Sequence, residues 1–272
     1  MKIIGLSTIL LSFSFALSAQ MDFSSAHKMS LKGDVSSVRS DQYSVTFNPG
    51  GSTSSLYYIL EQDTFGCTEY FYDGNGKIEE QRRFSEPGVV ASKTLFDYDG
   101  DGIGTGWKDC NSSGMMQSYG EYGYENGKRT SVEAFDTLGN AMYAVKFVWD
   151  GDNMSETIFE SHSTPDPYLV EGNYTMSYEY ENGNLYRAVT TRENEIPIYV
   201  IFDSDGNSIE ENSVIRSWDI DKMDYDVVEK IIVNSYEFDN KGNWIVQTRT
   251  YKLTGESEGI VKHEIVYNDE IE

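Results

Sequence analysis

The chain has 272 residues, and its 45 acidic side chains outnumber its 21 basic ones to give a net charge of −24. Such a charge argues against binding to nucleic acid or to anionic membranes, because both are recognised by clustered Lys and Arg. The 20 Tyr, 13 Phe and 4 Trp exclude the disordered class, and 24 Gly with only 5 Pro favour a turn-rich β protein.

The first 19 residues are typical of a secretory signal peptide. Lys2 supplies the positive start, residues 3–17 form an apolar stretch, and small residues up to Ala19 allow cleavage before Gln20. A membrane anchor is the alternative, but the stretch is short and contains Ser and Gly. We therefore predict an exported protein, in the periplasm, at the cell surface or outside the cell, with no membrane insertion after signal removal. Residues 20–272 show no break in composition and are predicted to form a single domain.

Extended segments alternate with turn-rich segments along the rest of the chain. The predicted strands are an opening strand or hairpin over 29–47, then 56–60, 68–72, 77–84 and 89–98. A loop is predicted over 48–55, and longer loops over 161–166 and over the acidic stretch 217–226. Residues 223–233 have apolar side chains at i, i+4 spacing, but their β-branched residues favour a strand over a helix.

Five predicted turns share a four-residue frame that begins with Asp and ends with Gly. The Asp side chain accepts N–H groups from the residues that follow, and the Gly takes the positive φ that a type I turn with a G1 bulge requires. The frames are 73–76, 99–102, 136–139, 203–206 and 239–242. A related frame, 150–153, is predicted to place Asn153 in the left-handed region. Asn126-Gly127 and Asn182-Gly183 are predicted to form shorter hairpin turns.

These hairpin units resemble the YD repeats of RHS-type bacterial proteins and of short secreted proteins built from similar hairpins. The resemblance is carried by residues 70–76, 96–99, 178–184 and 236–243, while 124–128 is similar to MORN-like repeat proteins. It covers roughly residues 31–268 and implies an antiparallel sheet without carrying over any catalytic residue. The predicted fold class is therefore all-β: an antiparallel meander of repeated β-hairpins that forms an extended, twisted or curled sheet.

One acidic stretch has the spacing of a calcium loop. Asp97, Asp99 and Asp101 alternate as in the first half of an EF-hand, but Lys108 stands where a bidentate Glu is needed, and a cation there repels calcium. Asp-rich turns are also what the repeat itself produces. We therefore predict no metal site and no cofactor.

The two cysteines, Cys67 and Cys110, leave two interpretations open. Export favours a disulfide between them. A simple meander instead places them three strands apart, or about 14 Å at the usual strand spacing, whereas a disulfide needs Cα atoms within about 7 Å. A bridge would therefore require a sheet that curls or hairpins that do not follow simple order.

The sequence contains no recognised catalytic motif. His27, His162 and His263 are scattered, and neither a nucleophile elbow nor a zinc-binding His pair is present. We predict a non-enzymatic protein that binds a partner at the cell envelope. A secreted hydrolase with a carboxylate pair and a purely structural envelope component are the alternatives.

Aromatic residues before the turns are the candidate binding residues. They are Tyr70, Tyr72, Tyr178, Tyr180, Tyr236 and Phe238. Cross-strand aromatic ladders stabilise a sheet, so packing is the first interpretation of this pattern. If one face of the sheet is uncovered, the same rings form a surface that stacks on sugars or holds a partner chain. The predicted partner is accordingly an unidentified protein or glycan.

Overall fold

Alternating side chains and closely spaced turns fold the chain into antiparallel β-strands. The computed structural model describes residues 31–32, 34–47, 58–62, 67–86, 88–162, 173–193, 195–219, 224–255 and 257–267. The predicted signal peptide, residues 1–19, and the predicted loop 48–55 lie outside these residues. Within the described residues, there is no helix that is long and apolar enough to cross a membrane.

Seventeen strands lie within the described residues, and the register of every strand pair given below is antiparallel. They are β1 (Val35–Phe47), β2 (Tyr58–Gln62), β3 (Thr68–Tyr72), β4 (Ile78–Glu86), β5 (Val89–Tyr98), β6 (Gly104–Asn111), β7 (Met116–Glu125), β8 (Lys128–Asp136), β9 (Ala141–Asp150), β10 (Asn153–Ser161), β11 (Tyr174–Glu181), β12 (Asn184–Thr191), β13 (Ile198–Phe202), β14 (Ser208–Asp219), β15 (Asp224–Phe238), β16 (Trp244–Tyr251) and β17 (Ser257–Tyr267). The predicted all-β antiparallel class is confirmed.

Two compact units divide the chain. Unit 1 consists of Met1–Ile78, Arg83–Val89 and Glu210–Glu272, and unit 2 consists of Glu79–Arg82 and Val90–Ile209. In unit 2, strands β5 to β13 pair in succession, from β5 with β6 to β12 with β13. This is the meander of hairpins that the sequence predicts.

Unit 1 departs from simple meander order. Strands β14 to β17 pair in succession, but β17 then pairs with β1, from Val35 opposite Tyr267 to Ser44 opposite Gly259. The other edge of β1 pairs with both β2 and β3. The predicted meander therefore does not describe all of unit 1. Its first strand, β1, pairs with β17, which lies far away in sequence.

The turns confirm the predicted role of glycine. Each of the five Asp-to-Gly frames places its Gly at positive φ, between 75° and 85°, and each Gly N–H bonds to the carbonyl of its Asp. Asn126 and Asn182 are also at positive φ, as the two Asn-Gly turns require. Asn111 opens a further turn of this kind, since its Oδ1 accepts the N–H groups of Ser113 and Met115.

Two local predictions are wrong. Asn153 is not at positive φ. Asp150 pairs directly with Asn153, so the turn has only two residues, and Gly151 takes the positive φ of 56°. The stretch 217–226 is not a long loop either, because β14 and β15 pair as far as Asp219 opposite Asp224. Pairing of Glu210–Asp219 with Asp224–Val233 overrides the acidic composition. Residues 224–233 are strand, as predicted for this segment.

The core of unit 2 lies on one face of its strands. Val132, Val145 and Phe147 form its buried centre, and Tyr122, Trp149 and other large rings pack around them. Charged pairs such as Lys146 with Glu160 lie on the opposite face. Charged side chains are typical of a sheet face in contact with water.

The buried face of unit 1 also carries polar side chains. Val38 and Ile232 are fully buried there, but so are Ser40, Asn234 and Asn243. Buried polar side chains are normally hydrogen-bonded, and Asn243 bonds to Lys32 and Tyr267. Hydrogen bonds as well as apolar contacts therefore hold the interior of unit 1 together.

Candidate functional site

A row of stacked aromatic rings crosses three neighbouring strands of unit 2. The centroids of Tyr143 and Phe159 are 5.2 Å apart, and those of Phe159 and Tyr174 are 4.9 Å apart with planes only 7° from parallel. The guanidinium of Arg192 lies 5.6 Å from the ring centroid of Tyr174 and ends the row. Offset stacking and a cation over a ring both stabilise such a row.

Strand register explains why these rings meet. Phe159 pairs with Val145 of β9 on one side and with Tyr174 of β11 on the other. Tyr143 lies two residues before Val145 and therefore points to the same face. Arg192 immediately follows β12, whose last residue, Thr191, pairs with Thr175. The row thus forms at one end of β9 to β12.

A groove of about 380 Å³ opens beside this row. It is lined by Ile158, Phe159, Glu160, Asn173, Tyr174, Thr175, Thr191, Arg192 and Glu193. Phe159 and Tyr174 are the aromatic residues of this lining, and the rest of it combines charged, polar and aliphatic residues. By strand alternation, Phe159 and Tyr174 point to the core face of the sheet and Glu160 and Thr191 to the other face. A groove that combines apolar surface with a few polar groups is the usual form of a ligand site.

Hydrogen bonds and ion pairs fix the groove walls. Asn173 Oδ1 accepts the N–H of Ser161 at 2.9 Å, and the Thr191 hydroxyl donates to the carbonyl of Thr175. Arg192 Nη1 lies 3.6 Å from Glu195. The strand ends that form the groove are therefore tied to one another before any ligand arrives.

Tyr178 and Tyr180 lie on β11 near the row but do not belong to it. Tyr178 is 9% exposed, its hydroxyl is 3.0 Å from the hydroxyl of Thr157, and burial raises its pKa to about 12. The Tyr180 hydroxyl donates to the carbonyl of Met154. The ring of Tyr178 packs inside unit 2 and is closed to a ligand in this structure.

The other four predicted binding residues lie in unit 1. Tyr72 is 7% exposed, whereas Phe238 is 50% exposed. Tyr70 lies opposite Val38 of β1, and burial raises its pKa to about 12. Tyr236 packs against Phe238 and Trp244. The burial of Tyr72 excludes its ring from an exposed platform in this structure, and a binding role for the predicted set stays a prediction.

The calcium-like stretch is closed by its own contacts. Asp97 bonds to Lys108 Nζ at 2.7 Å, and Asp99 Oδ1 accepts the N–H groups of Asp101 and Ile103. Lys108 thus occupies one carboxylate directly. Within the described residues, no group of three or more His, Cys, Asp or Glu side chains is placed to hold a metal ion.

Both cysteines are buried free thiols in the structure. Cys67 donates to Asp41 at 2.7 Å, and burial together with this carboxylate raises its pKa to about 12. The same carboxylate pairs with Arg39. Cys67 is therefore held as an unreactive thiol, since the thiolate is the reactive form.

One pair of carboxylates converges in unit 1, as the hydrolase alternative requires. Arg249 lies between them, with Nη1 2.5 Å from Glu211 and Nε 2.7 Å from Glu258. Burial raises the pKa of Glu211, and Arg249 opposes that rise. A guanidinium that bridges both carboxylates is typical of a structural ion cluster, because it occupies the oxygens that catalysis would use.

His263 is a half-buried histidine of β17. Its ring centroid lies 3.5 Å from that of Trp244, and burial lowers its pKa to about 4. It is therefore neutral at physiological pH. His162 follows β10 and is exposed, while His27 lies outside the described residues.

The residues of the ring row were not among the predicted binding residues. Tyr143, Phe159 and Tyr174 are separated by 15 or 16 residues and sit in no Asp-to-Gly frame. One signal was present: Tyr174, Met176 and Tyr178 alternate, which places Tyr174 on the same face as the predicted Tyr178. Only the strand register brings the other rings to it.

No family model matches the chain, and no curated protein matches it in sequence. Among solved structures, a porin-like protein from Bacteroides uniformis is 11% identical with a TM-score of 0.48, over 86% of this chain and 98% of that one. A porin-like protein from Bacteroides vulgatus is 13% identical with a TM-score of 0.40 over the same shares. A chain of the Photorhabdus luminescens Tc holotoxin pore is 11% identical with a TM-score of 0.27, and only 14% of it is covered. All three TM-scores are below 0.5, so none of these likenesses decides the fold or the function of this chain.

Proposed function

We propose that the protein is an exported, non-enzymatic β-hairpin protein that binds a glycan or protein partner at the cell envelope through the groove beside Tyr174. The observation that carries this proposal is the pair of stacked rings, Phe159 and Tyr174, that lines about 380 Å³ of open space at the strand ends. The signal-peptide pattern of residues 1–19 supports export. The bridging of Glu211 and Glu258 by Arg249 supports the non-enzymatic part.

Rigid rings make the groove suited to binding. Phe159 is held between Tyr143 and Tyr174, and Tyr174 is held between Phe159 and Arg192. Side chains that are already ordered lose little conformational entropy when a ligand arrives, so more of the contact energy contributes to affinity.

The test is binding of residues 20–272 to a glycan array and to partners pulled down from an envelope extract. Tyr174→Ala is expected to weaken binding at least about tenfold, which corresponds to about 1.4 kcal/mol. Glu193→Ala is a second variant, since Glu193 lines the groove but is exposed and lies outside the ring row. Binding that is unchanged in both variants would overturn the proposed site.

A matched control is available in the same unit. Tyr119 stacks on Phe135 with centroids 5.2 Å apart, but neither residue lines the groove. Tyr119→Ala is expected to bind like the unmodified protein. Urea denaturation of all variants separates loss of the site from loss of the fold. Products formed from a panel of glycans and peptides would overturn the non-enzymatic part.

A further inference from the structure

We infer that the outer face of unit 2, around Glu121 and Glu133, is a docking surface for a basic amphipathic segment of a partner protein. None of the residues that form this surface lines the groove beside Tyr174, so the inference does not rest on the proposed function. Three observations carry it: a pair of facing carboxylates, open space on both sides of the pair, and exposed apolar side chains next to it.

Two carboxylates face one another on this surface. Glu121 of β7 pairs directly with Glu133 of β8, and both residues are exposed. Their neighbours Tyr122 and Val132 belong to the core of unit 2, so strand alternation points both Glu side chains outward. Like charges directly opposite each other destabilise a sheet. A cation that binds to both carboxylates relieves this repulsion.

Other acids in the same row across the strands are neutralised. Asp97 and Glu160 each pair with a lysine. Within the described residues, the side chains of Glu121 and Glu133 make neither a hydrogen bond nor an ion pair. A basic side chain from outside therefore finds two uncompensated charges at this point of the face.

Small residues leave space on both sides of the pair. Gly106 pairs with Glu121 on one side, and Ala144 pairs with Glu133 on the other. A Cβ at Gly106 would lie 2.2 Å from the carbonyl oxygen of Gly120, so the backbone admits no side chain there. An incoming side chain can therefore approach the carboxylates from either side.

Apolar side chains lie one step along the strands from the acidic pair. Phe135 follows Glu133 by two residues and points to the same face, and strand register places Leu95 of β5 in the row of Phe135. Leu95 is 37% exposed, and Leu138, in the turn after β8, is 85% exposed. Two residues of a strand span about 7 Å, so the acidic pair and the apolar row lie side by side.

Charge complementarity decides the kind of partner. The carboxylates repel nucleic acids and anionic lipids, and the net charge of −24 attracts cationic partners over a longer range. The partner must place a basic and an apolar side chain about 7 Å apart on one face. Residues i and i+4 of an amphipathic helix come close to this spacing, at about 6 Å. A basic amphipathic segment of a protein therefore fits the surface.

The experiment measures the binding of residues 20–272 to three fluorescent peptides of equal length by anisotropy. One is an amphipathic helix of lysine and leucine, the second has the same composition in shuffled order, and the third carries glutamate in place of lysine. The first is expected to bind at least about tenfold more tightly than either of the others. Its Kd is expected to rise at least about threefold between about 50 and 300 mM salt, because exposed charges are screened.

Two double variants with the same change in net charge locate the site. Glu121→Gln with Glu133→Gln is expected to weaken binding of the basic amphipathic peptide at least about tenfold. Glu125→Gln with Asp152→Asn removes two exposed carboxylates near the other end of the strands and is expected to weaken it less than about twofold. Leu138→Ser is expected to weaken it at least about threefold, since it removes apolar contact area.

Four outcomes would overturn the inference. They are equal losses in the two double variants, equal binding of the shuffled peptide, no binding of any peptide, and binding to zwitterionic lipid vesicles that depends on Leu138 while no peptide binds. Urea denaturation gives a second readout that does not depend on the probe. Glu121→Gln with Glu133→Gln is expected to be at least as stable as the unmodified protein, because it removes the repulsion. A less stable double variant would show that the pair supports the fold, and would also count against a docking role.

Discussion

Two turns of the molecule share one local design but differ in what they hold. Residues 136–140 join β8 to β9 in unit 2, and residues 239–243 join β15 to β16 in unit 1. In each turn, Oδ1 of the Asp accepts two backbone N–H groups at 2.8 to 2.9 Å. In each, the Gly sits at a φ of 82° or 83°. The Asp hydrogen bonds and the Gly conformation of the turn are therefore the same in both units.

The two turns differ in the hydrogen bonds of their final Asn. Asn140 is exposed, and its Nδ2 donates back to Asp136 at 2.7 Å, which closes the turn on itself. Asn243 is 2% exposed. Its Nδ2 donates to the carbonyl of Lys32 and to the hydroxyl of Tyr267, each at 2.7 Å, and its Oδ1 accepts the N–H of Lys32.

The Asp partners differ in the same way. The Tyr267 hydroxyl donates to Oδ2 of Asp239, the position that Asn140 fills at Asp136. In the turn 203–207, Asn207 donates back to Asp203 at 3.0 Å, so the closed form recurs. The comparison teaches that one turn sequence serves either as a self-contained hairpin or as an anchor between distant segments, depending on which strand lies beside it.

The largest expected effect comes from Asn243→Ala compared with Asn140→Ala. Asn243→Ala removes a buried amide together with its hydrogen bonds to the backbone of Lys32 and to the Tyr267 hydroxyl, so we expect a loss of about 2–4 kcal/mol in the free energy of unfolding. Asn140→Ala is expected to cost less than about 1 kcal/mol, since water replaces the lost bond. Urea denaturation measures both, and equal losses would contradict the distinction between the two turns.

Tyr267→Phe is expected to give the next largest loss in the free energy of unfolding. It removes only the hydroxyl, and with it the bonds to Asp239 and Asn243. We expect a loss of about 1–2 kcal/mol. A double-mutant cycle of Tyr267→Phe with Asn243→Ala is expected to show strong coupling, because the two residues share one network. Additive losses would mean that the hydroxyl and the amide act independently.

Gly242→Ala and Gly139→Ala test the shared part of the design. Both positions require the left-handed region, so each substitution is expected to cost about 1 kcal/mol or slightly more. A Cβ at Gly242 also lies 3.0 Å from Nζ of Lys32, but that flexible end can move away. Thermal unfolding is expected to give similar losses for both, and a difference above about 1 kcal/mol would show that Lys32 cannot yield.

The smallest expected effects are changes in the pKa values of two carboxyl groups, Asp136 and Asp239. Hydrogen bonds from Asn140 hold the pKa of Asp136 below its usual value. Burial opposes such a shift at Asp239, but Tyr267 and backbone N–H groups lower its pKa nonetheless. A lowered folded-state pKa stabilises the fold above the unfolded pKa and loses that contribution as the pH falls through the folded pKa.

NMR titration checks these shifts one residue at a time. Asn140→Ala is expected to raise the pKa of Asp136 and leave Asp239 unchanged. Tyr267→Phe is expected to raise the pKa of Asp239 and leave Asp136 unchanged. If either variant moved both carboxyls, the turns would not be electrostatically independent.

The turns were predictable from sequence because their physics is local. Asp239, Gly242 and Asn243 lie within five residues. The glycine marks the position of positive φ, because Gly adopts that conformation at little cost. The partners of Asn243 were not predictable, because Lys32 lies 211 residues away and no period-two pattern specifies which distant strand comes alongside.

The groove shows the same limit. Alternation placed Tyr174 on the same face as Tyr178, but the choice of Tyr178 as a binding residue ignored its burial. Burial depends on neighbours: Thr157 of β10 covers the Tyr178 hydroxyl, while Tyr174 lies at the strand end where the groove opens. Position along a strand, rather than residue type, decides which ring lies at the groove.

The pairing of β1 with β17 also sets an order of events during folding. The hairpins of unit 2 join neighbours in sequence and close small loops, which is rapid. One edge of β1 must wait for the last described strand, and closing so long a loop costs more entropy and time. Until then that edge is an open template for other chains. We therefore expect aggregation during refolding to rise in any variant that delays β17, even where the stability of the finished fold is unchanged.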